Sequence, residues 1–345
     1  MLRRKRFQHL ARISVVGLGS GGITAVNHML DSGVAGVDFL SVDTDENALR
    51  RSLAPVNILI PQTDRRLTAV FDQSSPDVGQ ETPHRLLGEA LSGSDMVFLI
   101  GGLGGRTATE LAPAAAAVAR RQEALTTAIV TFPFSFEGDG RARLARQGIR
   151  RLKEHVHTLI VVPNDRLLEM AGGQLAFHET YRLAHNIWRE SIQGVSELIN
   201  APGLVNVDFA DVRAIMSGGG ASIIATGKGQ GQNRAQQAAR EATRSPYLDV
   251  TIDGARGILF NISGGLDMGL HEVKQAAAVI RKRADADANI IFGATIDVTL
   301  RDEIRITVIA TGCGLALPER PSPQRQAADE QLQRTWMEPS TLSYA

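Results

Sequence analysis

The chain has 345 residues, of which 43% are hydrophobic and 21% charged, and this size and composition are typical of a soluble globular protein with two domains. Lys plus Arg and Asp plus Glu are balanced at 37 each, which excludes the strong positive field of most nucleic-acid-binding proteins. The single Cys313 excludes an internal disulfide, and no apolar run reaches the roughly 18 residues of a membrane span, so we expect a cytoplasmic protein.

Residues 1–11 form a basic tail without the apolar core of a signal peptide. We expect this tail to be solvated. A weak contact with an anionic membrane or with a partner is the alternative.

From residue 12 onward, short apolar segments alternate with helical segments, which predicts a parallel sheet with crossover helices. The predicted strands are residues 13–16, 37–42, 56–60, 95–100, 125–130 and 158–162. Helices are predicted between residues 23 and 33, over residues 76–91, over the Ala-rich residues 112–119 and over the basic residues 141–153. Because ligands of such sheets bind beyond the carboxyl ends of the strands, the loops at that edge form the candidate site.

A glycine-rich loop, GGLGGRTATE at residues 101–110, stands between a predicted strand and the Ala-rich helix. Strand, glycine loop and helix present backbone N–H groups and a helix N-terminus to phosphate. Arg106 and Glu110 stand where a phosphate loop would prefer glycine, and the charge of Glu110 repels an anion. Arg106 could bind a phosphate, could pair with Glu110 and plug an empty pocket, or could point to solvent, and we favour the second interpretation.

The second half of the chain begins with one long predicted helix over residues 175–200, followed by a smaller mixed α+β domain. Its predicted strands are residues 221–226, 257–262, 289–297 and 304–311, and its predicted helices are residues 233–243 and 270–283. We therefore divide the chain into the basic tail 1–11, a nucleotide-binding domain 12–174, a central helix 175–200, a second domain 201–315 and a mostly disordered tail 316–345.

Four segments stand in the order and spacing of one known family: TFPFSFEG at 131–138, IVVPNDRLL at 160–168, PGLVNVDFADV at 202–212 and IATG at 309–312. With these segments, residues 12 to 315 resemble FtsZ, the bacterial relative of tubulin. The resemblance implies a tubulin/FtsZ-like α/β fold, with a parallel-sheet nucleotide-binding domain, a long central helix and a smaller α+β activation domain. It also implies GTP or GDP as ligand, and head-to-tail filaments in which the activation loop of one subunit completes the GTPase site of the next.

The nucleotide loops depart from the family pattern in three places. In the first loop Gly19, Gly21 and Gly22 match, while Ser20 and Ile23 replace glycines and Thr24 replaces an asparagine. Ile23 either places bulk where the nucleotide should approach or is a core residue of a tightened helix. The loop at residues 68–75 differs completely and brings Asp72, followed shortly by Asp77. In the glycine-rich loop Gly104, Gly105 and Thr107 match, whereas the replaced positions are Arg106, Ala108, Glu110 and Leu111.

The residues that would hold the base and the sugar are only partly kept. By resemblance, Glu137 and Arg141 contact the ribose and phosphate and Asn164 contacts guanine. Tyr181 stands where a base-stacking Phe is usual, and Asn186 replaces a guanine-reading acid, which weakens selectivity for guanine. Alternatively, Tyr181 and Asn186 face the central core.

The activation loop, by contrast, matches the family in full. By resemblance, Asn206, Asp208 and Asp211 act on the nucleotide of a neighbouring subunit, where the two carboxylates would polarise water. Capping of a helix by Asp208 is the alternative, and it explains one acid but not the pair. We expect no metal ligands.

We therefore expect an FtsZ-like cytoskeletal, cell-division protein with a degraded GTP pocket that binds and hydrolyses GTP weakly or not at all, so that its ligand is GTP, GDP or none. It would self-associate, or dock head to tail on an authentic FtsZ. The alternatives are an active GTPase that polymerises head to tail and a nucleotide-independent scaffold. Residues 316–345 lack the family's long linker and adaptor-binding peptide, so we do not expect the usual tail-binding division adaptors as partners.

Overall fold

The computed structural model describes residues 10–60, 83–170, 177–201, 203–218, 221–244 and 251–313. Its first part is a six-stranded parallel sheet in the order β3-β2-β1-β4-β5-β6. The strands are β1 (Ile13–Leu18), β2 (Asp38–Asp43), β3 (Val56–Leu59), β4 (Met96–Gly102), β5 (Leu125–Phe132) and β6 (Thr158–Pro163). The parallel sheet predicted from the alternation of segments is therefore confirmed.

Helices cover both faces of this sheet, so β1 and β5 are buried at every position. This double burial explains why these strands are near-continuous apolar runs. The helices are α1 (Gly19–Asp31), α2 (Glu46–Leu49), α3 (Pro83–Ala90), α4 (Arg106–Arg121), α5 (Asp139–His155), α6 (Asn164–Met170) and α7 (Phe177–Asn200). One core cluster contains residues of α1 and α7, and the other contains residues of α4 and α5, so the two pairs lie on opposite faces.

The long helix α7 runs along the first sheet from its carboxyl edge to its amino edge. Near its start Tyr181 meets Phe134, which follows β5, with 5.8 Å between the ring centroids. In its middle the Trp188 indole donates a hydrogen bond to the Ile129 carbonyl over 2.8 Å. At its end Asn200 Nδ2 donates to the carbonyl of Ala11, just before β1, over 3.1 Å. The helix is thus a spacer between two ends of the molecule.

The second part is a mixed sheet in the order β7-β10-β8-β9, joined to β6 by the pair Leu159 and Ala221. Its elements are α8 (Phe209–Met216), β7 (Ala221–Gln230), α9 (Arg234–Ala242), β8 (Gly257–Gly264), α10 (Leu270–Arg281), β9 (Asn289–Ile296) and β10 (Glu303–Cys313). Close backbone packing at Gly227 seats α9 on one face of β7, and Gly194 of α7 packs on the other face against Thr307.

The structure corrects several predicted bounds. Strand β4 continues through Gly101 and Gly102, which the sequence pattern assigns to the loop, because both pair with β5. A Cβ atom on Gly101 would lie 2.8 Å from the Leu18 carbonyl, so the glycine serves close strand packing. The short helices α2, α6 and α8 are additions to the predicted elements. Residues 76–82 of the helix predicted over 76–91, and nearly all of both tails, lie outside the described residues. Among the described residues, no helix is long and apolar enough to span a membrane.

Candidate functional site

Two helix N-termini meet at the carboxyl edge of the parallel sheet. Helix α1 begins at Gly19 directly after β1, and α4 begins at Arg106 shortly after β4. A Cβ atom on Gly19, whose φ is +70°, would lie 3.5 Å from the backbone nitrogen of Ala108. Neither helix receives a side-chain cap from its N-cap residue, so the backbone N–H groups of both first turns are left for a ligand. This backbone arrangement suits a phosphate.

The first glycine loop is taken up by helix α1, which turns regular after the left-handed Gly19, and Ile23 is a core residue of that helix. It is 3% exposed and packs in a small cluster with Ala48 and Leu49 of α2. A Cβ atom on Gly22 would lie 2.8 Å from the Ile100 carbonyl, which explains why this glycine is kept. The interpretation in which Ile23 obstructs the nucleotide is therefore wrong.

The Thr24 hydroxyl donates a hydrogen bond to the carbonyl of Ser20 over 2.9 Å. Ser20 itself is exposed, and Gly21 lies beside β4, where a Cβ atom would come within 3.7 Å of the Gly102 nitrogen. Thr24 therefore uses its side chain within α1.

Arg106 and Glu110 form an ion pair across one turn of α4, with 3.5 Å between Nε and Oε1. The Arg106 side chain is 62% exposed and the Glu110 side chain 16%. The pairing of the favoured interpretation is thus observed, but Arg106 lies in solvent rather than filling a pocket. Ala108 does fill space, because its methyl group is buried between Gly19 and Gly101.

A buried carboxylate beside these loops, Asp43 at the end of β2, was not singled out in the sequence. Its Oδ1 atom accepts hydrogen bonds from the backbone nitrogens of Thr44 at 2.6 Å and Asp45 at 3.2 Å, while its Oδ2 atom has no partner among the described residues. Burial raises the pKa of this carboxyl group above its ordinary value. The Thr44 hydroxyl lies 3.2 Å from that of Thr107, which joins this strand end to α4. Its position next to β1, at the carboxyl edge, was the available signal.

An aromatic group lies at the other side of the same edge. The ring of Phe134 stacks on that of Phe136 at 4.9 Å and meets Tyr181 edge-on at 5.8 Å. Tyr181 is 37% exposed, and burial of the remainder raises the pKa of its phenol. Asn164 is buried at the start of α6, and Asn186 is half-buried on α7. An aromatic face is therefore present where the resemblance expects the base.

Two carboxylates accept hydrogen bonds from the backbone of the segment between β5 and α5. Glu137 pairs with Arg141 at 2.9 Å and also accepts a hydrogen bond from the backbone nitrogen of Phe134 at 2.9 Å. Asp165, which sequence reasoning missed, accepts from the backbone nitrogen of Ser135 at 2.9 Å. Glu137 and Arg141, the expected sugar-contacting residues, thus lie together near the carboxyl end of β5.

The acidic loop lies at the opposite end of α7. The Asn206 Oδ1 atom accepts from the Gly203 nitrogen over 2.7 Å, and Asp208 caps α8 by accepting from the Ala210 nitrogen over 3.2 Å. Asp211 lies in the first turn of α8, and both Asp208 and Asp211 are exposed. The capping alternative therefore holds for Asp208 without removing either carboxylate from solvent.

We call the glycine loops at one end of α7 and the acidic loop at its other end the two half-sites. The length of α7 gives the distance between them. Tyr181 lies near the carboxyl edge of the parallel sheet and Asn200 near its amino edge, and 19 residues of α-helix between them span about 29 Å. The structure therefore keeps the acidic residues away from the glycine loops of the same chain. No cluster of three or more His, Cys, Asp or Glu side chains suited to a metal ion occurs in the described part of the chain.

Comparison with known proteins agrees with this architecture. Residues 12–172 match the family model described as Tubulin/FtsZ family, GTPase domain, and residues 220–314 match FtsZ family, C-terminal domain. An empty FtsZ dimer from M. jannaschii is similar at 34% identity, with 92% of this chain and 96% of that chain covered and a TM-score of 0.78. A tryptophan-to-tyrosine mutant of M. jannaschii FtsZ has 36% identity, covers 88% and 91%, and has a TM-score of 0.76.

A more distant neighbour shares the fold. CetZ2 from Haloferax volcanii, solved as a protofilament with GTPγS bound, has 17% identity, covers 94% of this chain and 98% of that chain, and has a TM-score of 0.72. The extent of the match to M. jannaschii FtsZ, together with both family models, decides the family. This chain belongs to the FtsZ family, within the tubulin-like cytoskeletal GTPases.

Proposed function

We propose that this chain acts in the cytoplasm as an assembly subunit, or as a regulator of an authentic FtsZ, whose own pocket binds and hydrolyses GTP weakly or not at all. Its acidic loop acts on the nucleotide of a neighbouring subunit. The observation that carries the proposal is the position of the two half-sites at opposite ends of α7.

A single subunit cannot bring its acidic loop to its own glycine loops, because α7 is a continuous helix of 24 residues. Asp208 and Asp211 face solvent at one end, and the uncapped N-termini of α1 and α4 lie at the other. Head-to-tail stacking is the arrangement that joins such ends. M. jannaschii FtsZ, at 34% identity, was solved as a dimer, which supports self-association of this chain.

Exposed apolar side chains on the edge that carries the acidic loop support burial against a neighbour. The loop lies on β9, because Val205 and Ala294 exchange backbone hydrogen bonds, and β9 in turn ends beside β8 where Asp297 bonds to Gly264. The exposed residues of this edge are Leu204 at 71%, Val298 at 68%, Leu266 at 83% and Leu270 at 85%. Contact with another subunit would remove these side chains from water.

Two carboxylates support weak nucleotide binding. Asp43 is 2% exposed with one orphan oxygen, and Glu110 is largely buried in the first turns of α4. Both place negative charge beside helix N-termini that would otherwise attract phosphate. Arg106 offsets part of the Glu110 charge. The uncapped backbone N–H groups of α1 and α4 thus favour a phosphate, whereas the two nearby carboxylates disfavour it.

A working GTPase is the second candidate, and one observation favours it. The first turns of α1 and α4 are uncapped and Ile23 is turned into the core, so the phosphate cradle remains open in its backbone. In this alternative Arg106 swings from Glu110 to the phosphate.

Equilibrium binding of labelled GTP to nucleotide-stripped protein separates the two candidates, with M. jannaschii FtsZ as the positive control. We expect an affinity weaker than micromolar and turnover far below that of the control. Micromolar or tighter binding would overturn the degraded-pocket proposal, and steady turnover would establish the GTPase.

Sedimentation then tests assembly, alone and with the authentic FtsZ. We expect the chain to self-associate or to change the polymer yield of the authentic protein. The variant Asp208→Asn/Asp211→Asn should lose its effect on the partner's GTP turnover. An unchanged effect would mean that the acidic loop does not act in trans.

A further inference from the structure

The exposed side of α5 carries a straight row of cations that the proposed function does not use. Arg143, Arg146, Arg150 and Lys153 are spaced by three, four and three residues, which places them on one side of an α-helix. The residues that α5 buries point the other way and are Ala145, Gly148, Ile149 and Leu152. We call these four cations the α5 row.

The α5 row is a local concentration of charge in a chain whose total charge is balanced. Arg146 is half-buried, and its guanidinium carbon lies 5.5 Å from the centroid of the Phe132 ring. Arg143, Arg150 and Lys153 are exposed and have no ion pair within the ranges that the structure describes. Arg120, whose Nη1 atom donates to the Glu154 carbonyl over 3.1 Å, extends the row at the end of the helix.

The direction of α5 relates this row to assembly. The helix connects the carboxyl end of β5 to the amino end of the parallel strand β6, so it runs from the nucleotide edge to the opposite edge, as α7 does. It lies on the sheet face away from α1 and α7. In a head-to-tail stack, successive rows therefore follow one another along one side.

We propose that the α5 row is a docking surface for anionic phospholipid headgroups at a membrane surface. A row on the convex side of a helix offers no enclosure for a small anion, but a flat anionic surface touches all four cations at once. The guanidinium groups of three arginines suit the phosphates of lipid headgroups, which they can bind in a bidentate manner. A nucleic-acid duplex is the competing anionic surface, but it presents its phosphates on a curved surface, which four cations in one straight row match less fully than a flat one.

The size of the expected effect follows from the number of cations. Each Lys or Arg near an anionic membrane raises the affinity about fivefold. Four of them therefore give one subunit a dissociation constant on the order of millimolar. Several linked subunits bind far more tightly through multivalency. Only this gain on assembly rests on the proposed function, since a single subunit carries the complete row.

Vesicle flotation of the full chain tests the proposal, using phosphatidylcholine vesicles with and without phosphatidylglycerol. The test variant is Arg143→Glu/Arg150→Glu/Lys153→Glu, and the control is Arg240→Glu/Arg244→Glu/Lys282→Glu, which makes the same charge change at exposed positions of the other domain. At low salt, before any assembly, we expect the wild type and the control to float with the anionic vesicles. The affinity of the test variant for these vesicles should be at least tenfold lower. The variant Arg143→Gln/Arg150→Gln/Lys153→Gln, which removes the positive charges without adding negative ones, should lose less of this affinity.

Several results would overturn the docking surface. Equal loss in both variants would mean that net charge alone acts, and no loss in the test variant would mean that the row does not bind. Tighter binding to a DNA duplex than to anionic vesicles at equal salt would assign the row to nucleic acid instead. Circular dichroism of each variant shows that it is folded, and sedimentation without vesicles reports assembly separately, so a failure to assemble is distinguishable from a failure to bind lipid.

Discussion

Arg106 and Glu110 pair across the first turns of α4, and they do so with very unequal exposure. The guanidinium group is largely in solvent, whereas the carboxylate is largely buried in the first turns of α4. We therefore expect the carboxylate, rather than the guanidinium group, to affect phosphate binding. Arg106 limits the effect by neutralising part of its charge.

Replacing the pair by glycine, Arg106→Gly/Glu110→Gly, should raise the affinity for GTP by about tenfold or more, because a negative charge close to the phosphates is removed. Arg106→Ala alone should lower the affinity, since it removes the positive charge that pairs with Glu110. Binding is measured by titration of nucleotide-stripped protein. The matched control is Arg85→Gly/Glu89→Gly, which removes the corresponding pair from α3. No gain in the α4 variant would place the main defect in the other loops.

The two aspartates of the acidic loop should separate in their effects. Asp208→Ala removes the cap of α8 and should cost about 1 kcal/mol of folding stability, measured by urea denaturation. Asp211→Ala should leave stability within error, because no hydrogen bond of its side chain occurs among the described residues. Both should reduce turnover of GTP on a neighbouring FtsZ subunit. Loss of stability in Asp211→Ala would mean that it supports the loop rather than the neighbour's site.

The fold could be predicted from the sequence where burial produces long apolar runs. β1 and β5 are covered on both faces and contain no charged residue, so they stand out from the rest of the sequence. The helices α2 and α6 could not be predicted, because four to seven residues are too short to display helical periodicity, and α8 was indicated only by the capping alternative for Asp208. The last residue of β4 could not be predicted either, since the pairing of Gly102 depends on the neighbouring strand β5.

The candidate site was predictable only in its residue types. The glycine loops and the acidic loop were identified by their spacing, but the sequence could not tell whether Ile23 faced the nucleotide or the core. Asp43 was missed because a single polar residue at a strand end has no pattern of its own. The orientation of Arg106 depends on solvent and on Glu110, and no local rule fixes it.

Asp43→Asn should strengthen nucleotide binding by roughly tenfold, because the carboxylate lies one residue from Thr44, which reaches the first turn of α4. Aspartate and asparagine have similar shapes, so the bonds from the Thr44 and Asp45 nitrogens can be kept. Titration with GTP measures the affinity. An affinity that falls in the variant would mean that the carboxylate helps to hold the ligand.

Arg234 fixes the loop that carries the exposed leucines of the proposed assembly edge. It is 5% exposed and contacts Asp267 at 2.6 Å and Glu272 at 2.7 Å. Arg234→Met should cost about 2 kcal/mol of stability and reduce assembly, since the carboxylates of Asp267, Glu272 and Asp302 lose this ion pair. Arg240→Met, at an exposed position of the same helix, is the control for both measurements. Equal effects in the two variants would contradict a positioning role.

The ring of His185 stacks on that of Trp188 and lies 5.8 Å from that of His28, between α1 and α7. Burial, together with the neighbouring His28, lowers the pKa of His185 to about 4. Between pH 4 and the ordinary value of 6.5 the unfolded chain therefore binds a proton that the folded chain excludes. The stability that the neutral His185 contributes is fully present above pH 6.5. The free energy of unfolding should therefore fall by up to about 3 kcal/mol as pH decreases to 4.

His185→Phe keeps an aromatic ring against Trp188 and removes the proton site, so its stability should depend less on pH over this range. The measurement is urea denaturation at half-unit steps between about pH 4 and pH 7, which brackets the folded and ordinary pKa values. The control is His271→Phe on α10, which replaces an exposed histidine and should retain the wild-type slope. Since α1 carries the first glycine loop and α7 joins it to the acidic loop, loss of this contact should also weaken assembly in the same acidic range. A wild-type slope in His185→Phe would assign the acid sensitivity to other groups.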